Sequence, residues 1–291
     1  MIIPHSQIRA QTREIYDAGG LPKGQKTGWP SVDALYTVGM HQFTMITGTP
    51  SSGKSEWLDA LMVNLAKAEE WRFFIYSPEN QPLALHHSKI IEKYSGRPFN
   101  PGPTPRIEPD EFEEAEDWME GKFHFCKPDR PEMESILVEA INRICRPGAG
   151  YKTGVVIDPW NYLEHHRPAF QSETEYVSDC LSRVIERVRE YPVHLWLVAH
   201  PNKQIQRKDG TYAVPTPRDI SGSAHFWNKS DNCITVWRSK EEHDREVQIH
   251  VQKIRWKHMG KMGIAKLDYD LVTGRYREQL KAANYYEKRE A

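Results

Sequence analysis

Gly48-Thr49-Pro50-Ser51-Ser52-Gly53-Lys54-Ser55 is the stretch on which the reading of this chain turns. It fits G-x-x-x-x-G-K-[ST]. In that pattern, glycines let backbone N–H groups wrap a phosphate, the lysine reaches the β and γ phosphates, and the hydroxyl ligates magnesium. The residues before it, His41 to Thr47, are apolar and β-prone. Those after it, Glu56 to Glu70, repeat Leu58, Leu61, Met62 and Leu65 at helical spacing. Strand, loop and helix in that order aim a helix N-terminus at the bound anion. ATP and Mg2+ are the expected cofactors. Gly48, Thr49, Pro50, Ser51, Ser52, Gly53, Lys54 and Ser55 are the expected nucleotide-binding residues, with Lys54 also counted as catalytic and Ser55 as a metal ligand.

Outward from this loop, three further apolar runs end in a polar residue. Val155-Val156-Ile157 ends at Asp158, a candidate magnesium ligand. Phe73-Phe74-Ile75-Tyr76 leads to Glu79, whose carboxylate could take a proton from an attacking water or orient it. Trp196-Leu197-Val198-Ala199 ends at His200, suited to hydrogen-bonding a γ-phosphate and reporting its loss. Taken singly, each also reads as an ordinary strand-end side chain.

Helical patterns cover Ser6–Asp17, Glu111–Glu120, Glu132–Cys145 and Glu173–Tyr191. Asn202–Pro217 reads as a long polar loop, and Pro98–Pro109, with its five prolines, as a surface excursion. Ile234–Arg238, Val247–Lys253 and Ile264–Asp268 alternate like antiparallel strands. The expected fold is therefore α/β. It has a mainly parallel sheet flanked by helices and an antiparallel C-terminal extension.

The 291 residues are 38% hydrophobic and 27% charged, as expected of a soluble globular protein, and no apolar run approaches a membrane span. The net charge of −1 requires any nucleic-acid site to be a local cluster. Cys126, Cys145, Cys180 and Cys233 are widely spaced and lack C-x-x-C, which disfavours zinc and a disulfide framework and suits a reducing compartment. Residues 1–17 lack the apolar core of a secretory signal and make a poor transit peptide. A cytoplasmic location, in a bacterium or encoded by a phage, is the expectation, with an organelle left open.

Several motifs carry a resemblance. They are Thr27-Gly28-Trp29-Pro30-Ser31, Tyr76-Ser77-Pro78-Glu79-Asn80, Ile157-Asp158-Pro159-Trp160-Asn161, Ala199-His200-Pro201-Asn202-Lys203, and Gly222-Ser223-Ala224 with Asn228-Lys229-Ser230-Asp231. In this order, from Thr27 to Tyr276, the chain resembles the helicase domain of Twinkle-like primase–helicases. These belong to the DnaB-like hexameric superfamily with a RecA-type core.

The resemblance implies a catalytic carboxylate at Glu79 and a γ-phosphate sensor at His200. It implies an arginine finger at Arg255, supplied to a neighbouring subunit with Lys253 beside it. Arg238 and Tyr269 fall where related helicases sandwich adenine. Lys203, Arg207 and Lys208 fall in a loop that lines the channel and meets single-stranded DNA, with Gly222, Ser223 and Lys229 on the next channel element. Lys257-His258-Met259-Gly260 departs from the family as a longer turn.

The resemblance further implies a homo-oligomer, a hexameric ring moving 5′ to 3′, with a primase domain or protein as a further partner. Residues 1–26 would form a linker helix and loop, 27–278 the RecA-like ATPase domain, and 279–291 a tail. The alternative left open is a RecA-like DNA-binding or assembly ATPase that does not unwind strands. A small-molecule kinase is disfavoured, because neither a lid nor an acceptor pocket is visible.

Overall fold

The computed structural model describes residues 2–146, 148–202, 213–220, 224–238 and 245–279. In chain order its elements are α1 (His5–Asp17), α2 (Pro30–Asp33), β1 (Gln42–Thr47), α3 (Lys54–Ala68), β2 (Trp71–Tyr76), α4 (Leu83–Ser95), α5 (Pro109–Met119) and β3 (Phe123–Phe125). There follow α6 (Met133–Ile144), β4 (Lys152–Ile157), α7 (Glu173–Glu190), β5 (Val193–Val198), α8 (His225–Lys229), β6 (Asn232–Arg238), β7 (Glu246–Ile254), β8 (Gly263–Tyr269) and β9 (Tyr276–Glu278).

Among the described residues the strands form one sheet, ordered β3-β2-β4-β5-β1-β6-β7-β8-β9. From β3 to β6 every pairing is parallel, and from β6 to β9 every pairing is antiparallel. This is the expected architecture. Parallel strands buried on both faces need continuous apolar runs, and β1 and β5 are buried at all six positions. β8, with one face in water, alternates instead.

Each face of the sheet has its own core. One gathers α3, α4 and α5 over Trp71, Phe73 and Trp196. The Trp71 ring lies 5.6 Å from that of Phe73 and 6.0 Å from that of Trp196. The other core packs α6, α7 and α8 over Phe43, Met45, Val155 and Leu195.

The structure adds elements that the sequence pattern had not indicated, of which α4 matters most. Its buried residues are His86, Ile90, Ile91 and Lys93, so two polar side chains face inward and mask the apolar period. The long turn after Arg255 also has a structural reason. Met259 is buried, its carbonyl accepts from the Thr37 amide, and a Cβ at Gly260 would collide with the Leu35 carbonyl. The turn is a clasp onto residues 35–37.

One buried histidine makes the fold acid-sensitive. His194 on β5 is fully buried, with Nδ1 2.6 Å from the Gly39 carbonyl and Nε2 2.9 Å from Thr44 Oγ1. Nδ1 therefore donates and Nε2 accepts, which is the neutral ring. Burial pulls its pKa down to about 4. A depressed pKa means that this stability is present above the unfolded value, near 6.5, and is lost as pH falls toward 4; the window holds about 3 kcal/mol. Thermal melts between pH 7 and 4 should show this loss, and it should shrink in His194→Gln.

Candidate nucleotide site

The parallel register decides which side chains meet. Ile46 of β1 pairs with Val198 of β5, Ile157 of β4 with Leu197, and Tyr76 of β2 with Ile157. The residues following all four strands therefore emerge at one edge of the sheet. There lie the phosphate loop, Glu79, Asp158 and His200.

Two glycines shape the loop. A Cβ on Gly48 would collide with the Val236 carbonyl on β6, so the loop can lie this close only without a side chain. Gly53 has φ +89° where the chain turns into α3. Lys54 then opens the helix. Its Nζ donates to the carbonyls of Gly48 and Thr49, at 3.1 and 3.0 Å. Burial lowers its pKa, while the charges of Asp158 and Glu79 oppose the shift.

Asp158 is buried, and burial pushes its carboxyl up to about 6 against a hydrogen bond from Ser55. Among the described residues its Oδ1 has no hydrogen-bond partner, and neither does the buried Ser52 hydroxyl. A serine hydroxyl beside a carboxylate with one oxygen to spare is a fitting donor set for Mg2+.

Glu79 and His200 touch: Nε2 of the imidazole lies 3.2 Å from Oε1 of the carboxylate. The His200 amide donates to Asn161 Oδ1 at 3.1 Å, and the Thr47 hydroxyl donates to the Ala199 carbonyl. The ends of β1, β4 and β5 are thus laced together. Asn161 belongs to a motif of the sequence, yet its part in holding His200 depends on strand order.

Arg238 and Tyr269 do meet, with the guanidinium carbon 5.6 Å from the ring centroid. Tyr269 packs on Tyr276 at 5.0 Å, and the Tyr276 hydroxyl donates to the Gly53 carbonyl. The aromatic group therefore adjoins the phosphate loop, with Tyr276 as a contributor that the sequence reading missed.

Arg255 and Lys253 lie elsewhere. β7 runs antiparallel to β6, with Ile254 opposite Asn232, so both cations sit at the sheet edge away from the loop, roughly 20 Å along the strands. Arg255 Nε lies 2.8 Å from Asp231 Oδ1, and Lys253 Nζ donates to the carbonyls of Trp227 and Asn228. Lys229 is turned inward: its Nζ donates to the carbonyl and hydroxyl of Ser178 and to the Ser182 hydroxyl. Lys203, Arg207, Lys208, Gly222 and Ser223 lie outside the described residues.

No protein-family model matches the chain. A Twinkle homolog protein of chloroplasts and mitochondria from Arabidopsis thaliana is 40% identical over 263 residues, 87% of this chain and 36% of that protein. The chain thus spans about a third of that relative's length, and the relative's location gives no support to a bacterial or phage origin. Among the described residues, no helix is long and apolar enough to cross a membrane.

Of solved structures, one of an ATPase domain matches with a TM-score of 0.77 at 17% identity, over 95% of this chain and 98% of that one. A DnaB-like replicative helicase, described with its interactions with primase, matches at 0.72 and 17%, over 96% of this chain and 68% of that one. The RadB recombinase matches at 0.54 and 11%, over 88% and 99%. By sequence the chain is related to the Twinkle-like proteins, and by fold it is a RecA-type core of the kind found in DnaB-like helicase ATPase domains.

Proposed function

We propose that this chain is the motor domain of a ring-forming, ATP-driven DNA helicase that hydrolyses ATP at subunit interfaces and moves 5′ to 3′ on single-stranded DNA. The observation that carries this reading is the split between the two edges of the sheet. Lys54, Ser55, Glu79, Asp158 and His200 share one edge, while Arg255 lies at the other and cannot serve its own phosphate loop. A second subunit supplying Arg255 would complete the site. A cation arriving from outside stabilises charge on the transferring phosphoryl group and ties hydrolysis to subunit position.

In this reading Lys54 leaves its two carbonyl partners for the β and γ phosphates. His200 leaves Glu79 for the γ-phosphate. Glu79, released, accepts a proton from the water that attacks γ-phosphorus, and the bond to the bridging oxygen breaks. Ser55 and Asp158 would hold Mg2+, whose charge offsets that of the phosphates. Arg238 and Tyr269 would stack on the base.

Residues 27–278 would form the motor, since Thr27 is buried and β9 ends at Glu278. Residues 1–26 would dock on a neighbour: α1 has no buried residue and exposes Ile8, Ile15 and Tyr16. DNA would lie along the loop with Lys203, Arg207 and Lys208, and six copies would multiply that local charge. A primase would be a further partner.

Lys54→Ala and Arg255→Ala should each abolish hydrolysis, the second with nucleotide binding intact. Mixing the two inactive variants should restore part of the rate, because some interfaces then pair an intact loop with an intact arginine. A mixture as inactive as its components would remove the shared site. Tyr269→Ala should weaken nucleotide binding about fivefold, the worth of one stacking contact of about 1 kcal/mol; unchanged titrations would move the base elsewhere. Strand displacement on a forked duplex is the test of unwinding. DNA-stimulated hydrolysis without displacement would favour the assembly ATPase.

A further inference from the structure

We infer that Lys89 is a positioning residue: it holds the turn that carries Glu79 against the phosphate-loop helix, by bridging Asn80 to Glu56. The inference rests on the ATPase reading above and extends it to a residue on α4.

Glu79 sits in a tight turn between β2 and α4. Asn80 closes that turn on itself, its amide reaching the Ser77 carbonyl at 3.2 Å and its side-chain Nδ2 the Ser77 hydroxyl at 2.9 Å. The remaining side-chain oxygen of Asn80 accepts from Lys89 Nζ at 3.1 Å. The same Nζ lies 2.8 Å from Glu56 Oε1. Glu56 directly follows Ser55, in the first turn of α3. One ammonium group therefore connects the neighbour of the expected catalytic carboxylate to the neighbour of an expected metal ligand.

The rest of the α3–α4 interface explains why this bridge can hold a position. His86, Lys89 and Lys93 recur at i, i+3 and i+7, one stripe of α4. Asp59 and Glu56, three apart, face them from α3. His86 Nε2 is 3.0 Å from Asp59 Oδ1, with both side chains buried, and the buried Lys93 reaches Glu56 Oε2 at 2.5 Å. Apolar contact tolerates sliding, whereas paired hydrogen bonds fix one register.

The pairs also divide the labour. His86 and Lys93 are buried and seat the helix. Lys89 is 38% exposed, and it is the one of the three that reaches Asn80. On its other side, Glu79 is held through its carboxylate by His200. When His200 turns to a γ-phosphate, the carboxylate is freed while the turn stays anchored by Lys89. Binding then depends little on Lys89, and turnover depends on it strongly.

The test uses the full chain with Mg-ATP and single-stranded DNA, reading kcat, nucleotide affinity and melting temperature. Lys89→Met should lower kcat about tenfold or more, the scale of a small misplacement of a reacting group. Nucleotide affinity and melting temperature should stay near wild type, since exposed ion pairs add little stability. Lys89→Arg should recover most of the rate. Asn80→Ala should show the same loss, and the double variant should lose no more than the worse single variant. Wild-type kcat in Lys89→Met, or losses that simply add, would overturn the inference. Glu79→Gln separates the two levels. If it binds nucleotide without hydrolysing it while Lys89→Met is normal, the inference alone falls. If Glu79→Gln turns over as wild type, the reading of the site falls and takes the inference with it.

Discussion

The arrangement depends on one constraint, the in-register parallel pairing of β2, β4, β5 and β1. Parallel strands point their C-terminal ends the same way, and hydrogen-bonded neighbours lie about 4.8 Å apart. Whatever follows those strands is therefore gathered into a shelf along one edge. The glycine-rich loop, the carboxylates of Asp158 and Glu79 and the imidazole of His200 come together because four apolar strands are in step. Their distances along the chain are irrelevant to this. The two cores on either face hold the strands in step by burying Trp71, Phe73 and Trp196 on one side and Phe43, Val155 and Leu195 on the other.

The antiparallel extension has the opposite consequence. Reversal at β7 carries Lys253 and Arg255 to the far edge, where the fully buried Asp231 organises the strand starts. Asp231 accepts from the Phe43 amide and pairs with Arg189 as well as Arg255. A buried carboxylate is tolerable only with such partners. The chain thus carries the shelf of Lys54, Glu79, Asp158 and His200 and the Arg255 guanidinium on opposite edges; in the proposed ring, head-to-tail contact would bring one subunit's arginine to its neighbour's shelf.

Polar groups inside the molecule do two kinds of work. His194 is a satisfied core group, with both ring nitrogens hydrogen-bonded. Asp158 and Ser52 keep buried oxygens at the shelf with no partner among the described residues, and such orphans are costly unless a ligand or ion completes them. The stripe of α4 falls between these cases: its ion pairs seat a helix, and Lys89 extends the seat into the turn beneath Glu79.

Much of the shelf was legible because its parts obey local rules. A glycine-rich loop before a helix, and short β-prone runs ending in Asp158 or His200, carry their meaning in adjacent residues. α4 was not legible, because its inward face carries His86 and Lys93, and hydrophobic periodicity is blind to polar pairs that satisfy each other across an interface. The inward contacts of Lys229 with Ser178 and Ser182 were not legible for a related reason, since they join residues far apart in the chain. By itself, then, the sequence determined the chemical parts and the α/β class, since both are written in patterns a few residues long. Which parts share an edge of the sheet, which cation faces away, and which lysine reaches the turn beside Glu79 were decided only by the tertiary structure. Strand order and strand direction are collective outcomes of packing, and no short stretch of chain encodes them.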